Sequence, residues 1–287
     1  YIAWFLLCII NTYNLYSIYY DSLLQGKGLI KRSKQITIIG QLIYLLVAGL
    51  LIIYGFGLIA IVSAQAISVV IIRFLSYKSF FTNEIKIEIK NAENYSRENI
   101  LKAIYPNALK IGFTSLGSFL VQRSSLIIGS LFLSLGDIAT YGITMQLISV
   151  LGGLATVYMS TYQPLIAHQR VKNKLDNIKD LYIKGLFFMF VIYLIGSLFL
   201  VLFGDSAFSF IGSQTKFLPI PMLSVALLIG FLESNHSMAG GIMLSKNEVP
   251  FFKAALYSGA ATFIVLIVLF KFTNLGLWSM IIAPGIV

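Results

Sequence analysis

The fold is decided by two adjacent apolar runs, ITIIGQLIYLLVAGLLIIY at residues 36–54 and GLIAIVSAQAISVVIIRFLS at residues 57–76. Each run is close to the ~20 residues that an α-helix needs to cross ~30 Å of hydrocarbon. No charged residue occurs between positions 36 and 72. The pair therefore predicts two consecutive transmembrane helices joined by a short connection.

The same pattern continues along the rest of the 287 residues. Apolar runs of similar length alternate with short polar breaks, and two longer polar connections occur at 77–106 and 163–180. The periodicity predicts an all-α polytopic membrane protein with about nine transmembrane segments. Their approximate limits are 1–22, 36–54, 57–76, 108–133, 138–161, 182–203, 219–243, 251–270 and 275–287.

The composition excludes a soluble protein. Hydrophobic residues make up 58% of the chain, charged residues make up 11%, and the mean hydropathy is +0.87. A soluble fold of this length could not bury so much apolar surface. The single cysteine, Cys8, permits neither an internal disulfide nor a cysteine-based metal site. No catalytic motif is recognisable, and we expect no enzyme activity, no cofactor and no metal.

The net charge of +10 has its explanation in topology rather than in nucleic-acid binding. Cytoplasmic loops of membrane proteins carry an excess of Lys and Arg. When the polar breaks are counted alternately, all but three of the 21 Lys and Arg residues fall on one side, with Arg73 among them. The exceptions are Lys216 and Lys271 on the other side and Arg123 inside a segment. The basic side is predicted to face the cytoplasm, with the anionic lipid surface as a partner and nucleic acid excluded.

Two junctions along the chain resemble each other. LLQGKGLIKRSKQITIIG at 23–40 and MAGGIMLSKNEVPFFKAA at 238–255 each combine a helix end, a glycine, a short basic turn and a new apolar helix. Such weak repetition is typical of transporters with two like-oriented bundles, which bind substrate at the bundle interface near the bilayer midplane. Chance similarity between two loop-to-helix junctions is the alternative.

Four motifs carry a resemblance to a known family. They are YYDSLLQGKG at 19–28, IYPNALKIG at 104–112, SLIIGSLFLSLGDIATYGITMQLI at 125–148 and VYMSTYQPLIAHQR at 157–170. Together they resemble the lipid-linked oligosaccharide flippases (Wzx-type) of bacterial polysaccharide and O-antigen synthesis. These belong to the multidrug/oligosaccharidyl-lipid/polysaccharide exporter superfamily.

The resemblance implies an organisation and a cargo. Such flippases have about twelve helices, so the chain is interpreted as a fragment running from the fourth helix to an incomplete twelfth. Residues 1–76 would end the N-terminal bundle, 77–106 would form a cytoplasmic linker, and 107–287 would form most of the C-terminal bundle. The implied cargo is an undecaprenyl-pyrophosphate-linked oligosaccharide for O-antigen or surface polysaccharide, flipped across the bacterial cytoplasmic membrane. Other polysaccharide assembly proteins are expected partners.

Two charged residues lie inside predicted helices, where an ionisable group is costly and usually faces a cavity or a partner. Arg123 lies near the middle of segment 108–133 and Glu233 near the middle of segment 219–243. Arg123 could contact the pyrophosphate of a lipid-linked sugar through bidentate hydrogen bonds. Alternatively, Arg123 and Glu233 form a buried ion pair that fixes helix packing. Both interpretations can hold together.

Polar and small residues at spacings of three and four follow one face of several predicted helices. In segment 108–133 they are Ser115, Ser118, Gln122, Ser125 and Gly129, and in segment 138–161 they are Gly142, Gln146, Ser149, Gly153, Thr156 and Ser160. The substrate-binding candidates are Arg123, Gln122, Gln146, Asn11, Asn14 and Asp21. They could line a hydrated cavity for sugar hydroxyls, whereas the accompanying glycines and serines could instead serve close helix packing. His236 lies within a helical turn of Glu233. Because histidine can exchange a proton near neutral pH, this pair is a candidate for ion coupling, with a structural histidine as the alternative.

Two other functions remain open. A cation-coupled drug or small-molecule antiporter of the same superfamily would be expected to present acidic residues to cationic cargo rather than a central arginine. A membrane-embedded glycosyltransferase or polysaccharide polymerase would need large periplasmic loops or clustered carboxylates. The predicted outer loops are short and contain only Asp137 and Asp205.

The topology is directly testable in intact cells. Single-cysteine labels at Ser33, Asn91 and Asn173 should react only from the cytoplasmic side, and a label at Ser213 only from outside, because the basic loops are retained in the cytoplasm. The measurement is modification by a membrane-impermeant thiol reagent before and after lysis. Labelling of Asn91 from outside would contradict the arrangement.

Overall fold

The computed structural model describes residues 2–91, 96–210 and 216–287. Those residues form α-helices and short connections without any β-strand. The all-α fold predicted from the sequence is therefore confirmed. The chain divides into two compact units, Tyr1–Tyr95 and Ser96–Val287.

The first unit contains five helices. They are α1 (Ile2–Ser17), α2 (Tyr19–Gly26), α3 (Ile30–Ile53), α4 (Gly57–Phe80) and α5 (Asn83–Asn91). Helix α4 packs against α1, α2 and α3. A small apolar cluster of Leu24, Ile36, Phe80 and Ile85 joins α2, α3, α4 and the short α5.

The second unit contains the remaining seven helices of the described chain. They are α6 (Arg97–Gly129), α7 (Leu135–Ala155), α8 (Val157–Val171), α9 (Leu175–Phe210), α10 (Ile220–Leu244), α11 (Phe252–Phe272) and α12 (Leu277–Ile286). Its main apolar core lies between α7, α8, α9, α10 and α12, with Met189, Tyr193, Leu223 and Met280 among its buried members.

Seven helical stretches in the described residues are long and apolar enough to cross a membrane. They are α1 with α2, and α3, α4, α6, α7, α9 and α11. The two other predicted segments correspond to α10, which carries Glu233, Asn235 and His236, and to the short α12. The protein is thus a multi-pass helical membrane protein.

The structure extends helices into regions that the sequence suggested to be loops. Most of 163–180 is helical, because α8 continues to Val171 and α9 begins at Leu175. Helix α4 continues to Phe80, so Arg73 lies within this helix and not in the loop after it. All three helices contain charged residues near their ends, where water can solvate them, and charge alone does not end a helix.

Two labelling positions are affected by the structure. Ser33 is buried, and its hydroxyl donates to the Asp21 carboxylate, so the exposed Lys34 beside it is the better site. Ser213 lies outside the described residues. Cys8 is exposed and has to be replaced by serine before any label is interpreted.

Helices α6 and α11 approach each other so closely that no side chain fits between them. A Cβ atom on Gly259 would lie 2.6 Å from the Gly117 carbonyl oxygen and 2.9 Å from the Gly117 Cα. A Cβ on Gly117 would in turn meet the backbone of Ala255. Residues 255 and 259 form a small-xxx-small pair, which lets membrane helices gain van der Waals contact over their backbones.

We expect Gly259→Ala to destabilise the protein by about 1–3 kcal/mol, because backbone atoms cannot move aside as a flexible side chain can. The matched control is Gly112→Ala on α6, where an added Cβ meets open space and alanine favours the helix. Thermal unfolding of the purified full-length protein in detergent measures both. An equal effect of the two substitutions would contradict the close contact.

Candidate functional site

Contacts at both ends of helix α7 fix its position. At its start the Ser134 hydroxyl donates to the Asp137 carboxylate at 2.7 Å and accepts from the Asp137 backbone N–H at 3.2 Å, a cap that satisfies the first turn. At its end Gly152 permits close approach of α10, since a Cβ there would lie 3.0 Å from the Ser234 hydroxyl. The helix ends at Ala155 with Thr156 as its C-cap, and α8 begins at Val157.

A cavity of about 310 Å³ lies between α6, α7 and α10. We call it the Arg123 cavity. Its polar lining includes Gln122, Arg123, Gln146, Ser149, Thr156, Glu233 and Ser237, and glycines at 142, 152, 153 and 230 line it further. The structure thus brings together four of the predicted site residues, namely Gln122, Arg123, Gln146 and Glu233.

The polar face predicted on α7 lies along this cavity. Gly142, Gln146, Ser149, Gly153 and Thr156 are all lining residues. Ser160, assigned to the same face, belongs to α8 and is not among the lining residues. The spacing of three and four residues therefore identifies cavity-lining residues as far as Thr156.

Gln122, and not Arg123, contacts Glu233. The Gln122 amide donates to the Glu233 carboxylate at 2.8 Å and so links α6 to α10. Among the described residues the ion pairs are Lys27 with Glu88 and Lys102 with Glu98, so the ion pair considered for Arg123 and Glu233 is not formed. Arg123 also lies nearer the end of its helix than predicted, because α6 ends at Gly129.

A second cavity of about 520 Å³ lies between α6, α10, α11 and α12. We call it the His236 cavity, after the histidine in its lining. Gln122 and Glu233 line this cavity as well as the Arg123 cavity. The hydrogen bond between them therefore lies where the two cavities meet, and the Glu233 carboxylate borders both.

The polar face predicted on α6 divides between two roles. Gln122 lines both cavities, whereas Ser125 is fully buried. The Ser125 hydroxyl donates to the Met280 carbonyl at 3.0 Å, and the Tyr141 hydroxyl donates to the same oxygen at 3.3 Å. This carbonyl lacks its usual helical partner because Pro284, four residues on, has no N–H. Ser125 and Tyr141 thus tie α6 and α7 to α12.

The predicted residues of the first unit have different surroundings. Asn11 is exposed, and its side-chain oxygen accepts from Gln65 on α4 at 3.1 Å. Asn14 is exposed on the same helix. Asp21 is half-buried and accepts from Gln25 at 2.7 Å and from Ser33, so its carboxylate holds α2 against α3.

Sequence reasoning missed Tyr141 and Pro284, which both line the Arg123 cavity. Aromatic residues are common in apolar segments, and nothing in the spacing separates Tyr141 from a core residue. Pro284 could have been recognised, because a proline inside a helix leaves a carbonyl that must find another donor in a membrane.

The sequence matches no family model and no curated protein. Two solved structures are similar in fold. A crystal structure of MATE in the bent conformation superimposes with a TM-score of 0.65 at 17% identity, covering 96% of this chain and 63% of that one. An inward-facing conformation of a multidrug resistance MATE family transporter of the MOP superfamily has a TM-score of 0.63 at 18% identity, covering 94% of this chain and 63% of that one.

These comparisons show that the chain has the fold of MATE structures. It spans less than two thirds of their length. The superfamily named for the second structure is the one whose flippases the sequence motifs resemble. The predicted fold, an all-α polytopic membrane protein, is confirmed by this likeness.

A matched pair of serines separates packing from cavity lining. Ser125→Ala should cost about 1 kcal/mol of stability, since the buried Met280 carbonyl loses a donor. Ser149→Ala, at an exposed position of the Arg123 cavity, should leave stability unchanged. Thermal unfolding in detergent measures both.

The double substitution Ser125→Ala with Pro284→Ala adds a second check. Alanine restores an N–H to the Met280 carbonyl, so the loss caused by Ser125→Ala should shrink in that background. An undiminished loss would mean that Ser125 stabilises the fold in some other way.

Proposed function

We propose that this chain is part of a membrane transporter that moves an undecaprenyl-pyrophosphate-linked oligosaccharide across the bacterial cytoplasmic membrane by alternating access. The lipid tail would remain in the bilayer while the sugar head passes through a polar interior. The observation that carries the proposal is the guanidinium of Arg123, which lines a cavity with several polar side chains and has no carboxylate partner among the described residues.

An uncompensated arginine in a membrane-embedded cavity attracts an anion. The Arg123 side chain is exposed to the cavity, and no described carboxylate lies within ion-pair distance of it. A guanidinium offers five N–H donors in a planar fork that matches phosphate oxygens. A pyrophosphate supplies the negative charge and the hydrogen-bond acceptor atoms that this guanidinium requires.

The remaining lining suits a sugar. Gln146, Ser149, Thr156 and Ser237 present amide and hydroxyl groups to the Arg123 cavity. Such side chains both donate and accept hydrogen bonds, as sugar hydroxyls do. On the same face of α7, Gly153 borders open space, since an added Cβ there would meet no atom within 4 Å. The assignment of Asn11 and Asn14 to sugar binding stays a prediction from the sequence.

The similarity in fold to the two MATE structures favours transport over catalysis. Both similar structures are MATE structures, and one is described as a multidrug resistance transporter. A glycosyltransferase or polymerase would need clustered carboxylates, and Asp137 is already engaged in capping α7.

A second candidate is a cation-coupled drug antiporter, and Glu233 favours it. This carboxylate borders both cavities and has an uncharged partner, Gln122. A carboxylate in that setting attracts a cationic compound or a coupling ion. In the flippase proposal, Glu233 with the neighbouring His236 serves ion coupling instead.

Charge substitutions at Arg123 distinguish the two candidates in a full-length protein that complements a strain without its own flippase. Arg123→Lys keeps the charge and should retain partial surface-polysaccharide export, whereas Arg123→Gln should reduce export at least tenfold at normal protein abundance. The readout is surface polysaccharide per unit of membrane protein.

The decisive control is the neutral double substitution Arg123→Gln with Glu233→Gln. Full export by that protein would remove Arg123 from the substrate site, because no positive charge would remain there. Unchanged export in Arg123→Gln combined with lost resistance to a cationic drug in Glu233→Gln would favour the antiporter.

A further inference from the structure

Arg73 lies inside a transmembrane helix of the first unit, in a site that the transport proposal does not use. It is half-buried on α4, seven residues before the helix ends at Phe80. At ~1.5 Å per residue this is ~10 Å from the end of the helix. A charged side chain at such a position needs a specific reason.

Three tyrosines of α1 and α2 surround the guanidinium. Its central carbon lies 4.9 Å from the ring centre of Tyr13, 5.6 Å from that of Tyr16 and 5.8 Å from that of Tyr20. An N–H of Arg73 also donates to the Tyr13 hydroxyl. Cation–π contacts stabilise the charge, and the hydrogen bond orients its plane. We call this group the tyrosine cage.

The cage holds the cation without neutralising it. Two carboxylates of the first unit have other partners, since Asp21 accepts from Gln25 and Ser33, and Glu88 pairs with Lys27. No described carboxylate lies within ion-pair distance of Arg73. The N–H donors that do not bond to the tyrosine hydroxyls can therefore meet an anionic acceptor.

The surroundings of the cage indicate where such an anion comes from. On α4, Val70 and Phe74 flank Arg73 and are 54% and 63% exposed, and Tyr16 is 64% exposed. Exposed apolar and tyrosyl side chains suit a boundary between acyl chains and head groups. A soluble anion would have to reach the cation past this apolar surface, whereas a lipid carries its phosphate there.

We propose that Arg73 and the tyrosine cage form a binding site for the phosphate of an anionic lipid head group in the cytoplasmic leaflet. The planar fork of the arginine contacts the phosphate oxygens, and the rings hold the fork in one orientation. The site belongs to the first unit and does not depend on the cargo proposed for the Arg123 cavity.

Lipid binding to the purified full-length protein tests this site. Native mass spectrometry is used to titrate phosphatidylglycerol, undecaprenyl diphosphate and, as a lipid of zero net charge, phosphatidylcholine. Arg73→Gln should weaken binding of an anionic lipid at least tenfold. The matched control is Lys78→Gln on the same helix, which removes an equal charge from an exposed position outside the cage and should change binding less than twofold.

Two milder variants keep the test informative if Arg73→Gln impairs folding. Arg73→Lys keeps the charge but loses the fork, and Tyr13→Phe keeps the ring but loses the hydroxyl that Arg73 contacts. Each should weaken anionic lipid binding about threefold or more in a protein with unchanged thermal stability. Unchanged binding in both variants would overturn the proposal.

The remaining outcomes identify the source of the phosphate. Stronger Arg73-dependent binding of either phosphatidylglycerol or undecaprenyl diphosphate supports the site and names its lipid. Displacement of the lipid by millimolar inorganic pyrophosphate would overturn the assignment to a membrane lipid. An equal loss in Arg73→Gln and Lys78→Gln would also overturn it, because the effect would then reflect surface charge alone.

Discussion

The Met280 carbonyl is the constraint around which the second unit is arranged. Pro284 deprives it of a helical donor, and an unsatisfied carbonyl in the membrane costs several kcal/mol. Ser125 from α6 and Tyr141 from α7 both donate to it, so one oxygen joins three helices. Because Gln122 and Arg123 lie within one turn of Ser125, this contact also sets where their side chains meet the cavities.

Two faces of helix α6 pack against other helices, and a third lines the cavities. Its Gly117 face is pressed against the backbone of α11, and its Ser125 face is bonded to α12. Its third face carries Gln122 and Arg123 into open space. Small residues bring the backbones together, and the long polar side chains lie where the neighbouring helices diverge. Tight packing on two faces therefore holds the polar face in place.

Polar groups in this protein fall into two kinds according to their partners. Asp21, Ser125 and Tyr141 have their hydrogen bonds within the fold, and they hold helices together. The guanidinium groups of Arg73 and Arg123 have no carboxylate partner among the described residues. Charges that the fold leaves unneutralised are costly in a membrane unless a ligand or water meets them. This distinction supports both proposed anion sites on the same physical ground.

The sequence by itself determined the membrane class, the helical fold and the approximate positions of the segments, because the length and hydropathy of a membrane helix are set by the thickness of the bilayer. Helical periodicity also placed Gln146 and Ser149 on a common face, which lines the cavity. Only the tertiary structure decided the partners. Glu233 bonds to Gln122 and not to Arg123, and Arg73 lies among tyrosine rings that α1 and α2 supply. A repeat of 3.6 residues specifies the direction of a side chain, whereas its contact depends on how far apart the helices pack and at what angle they cross.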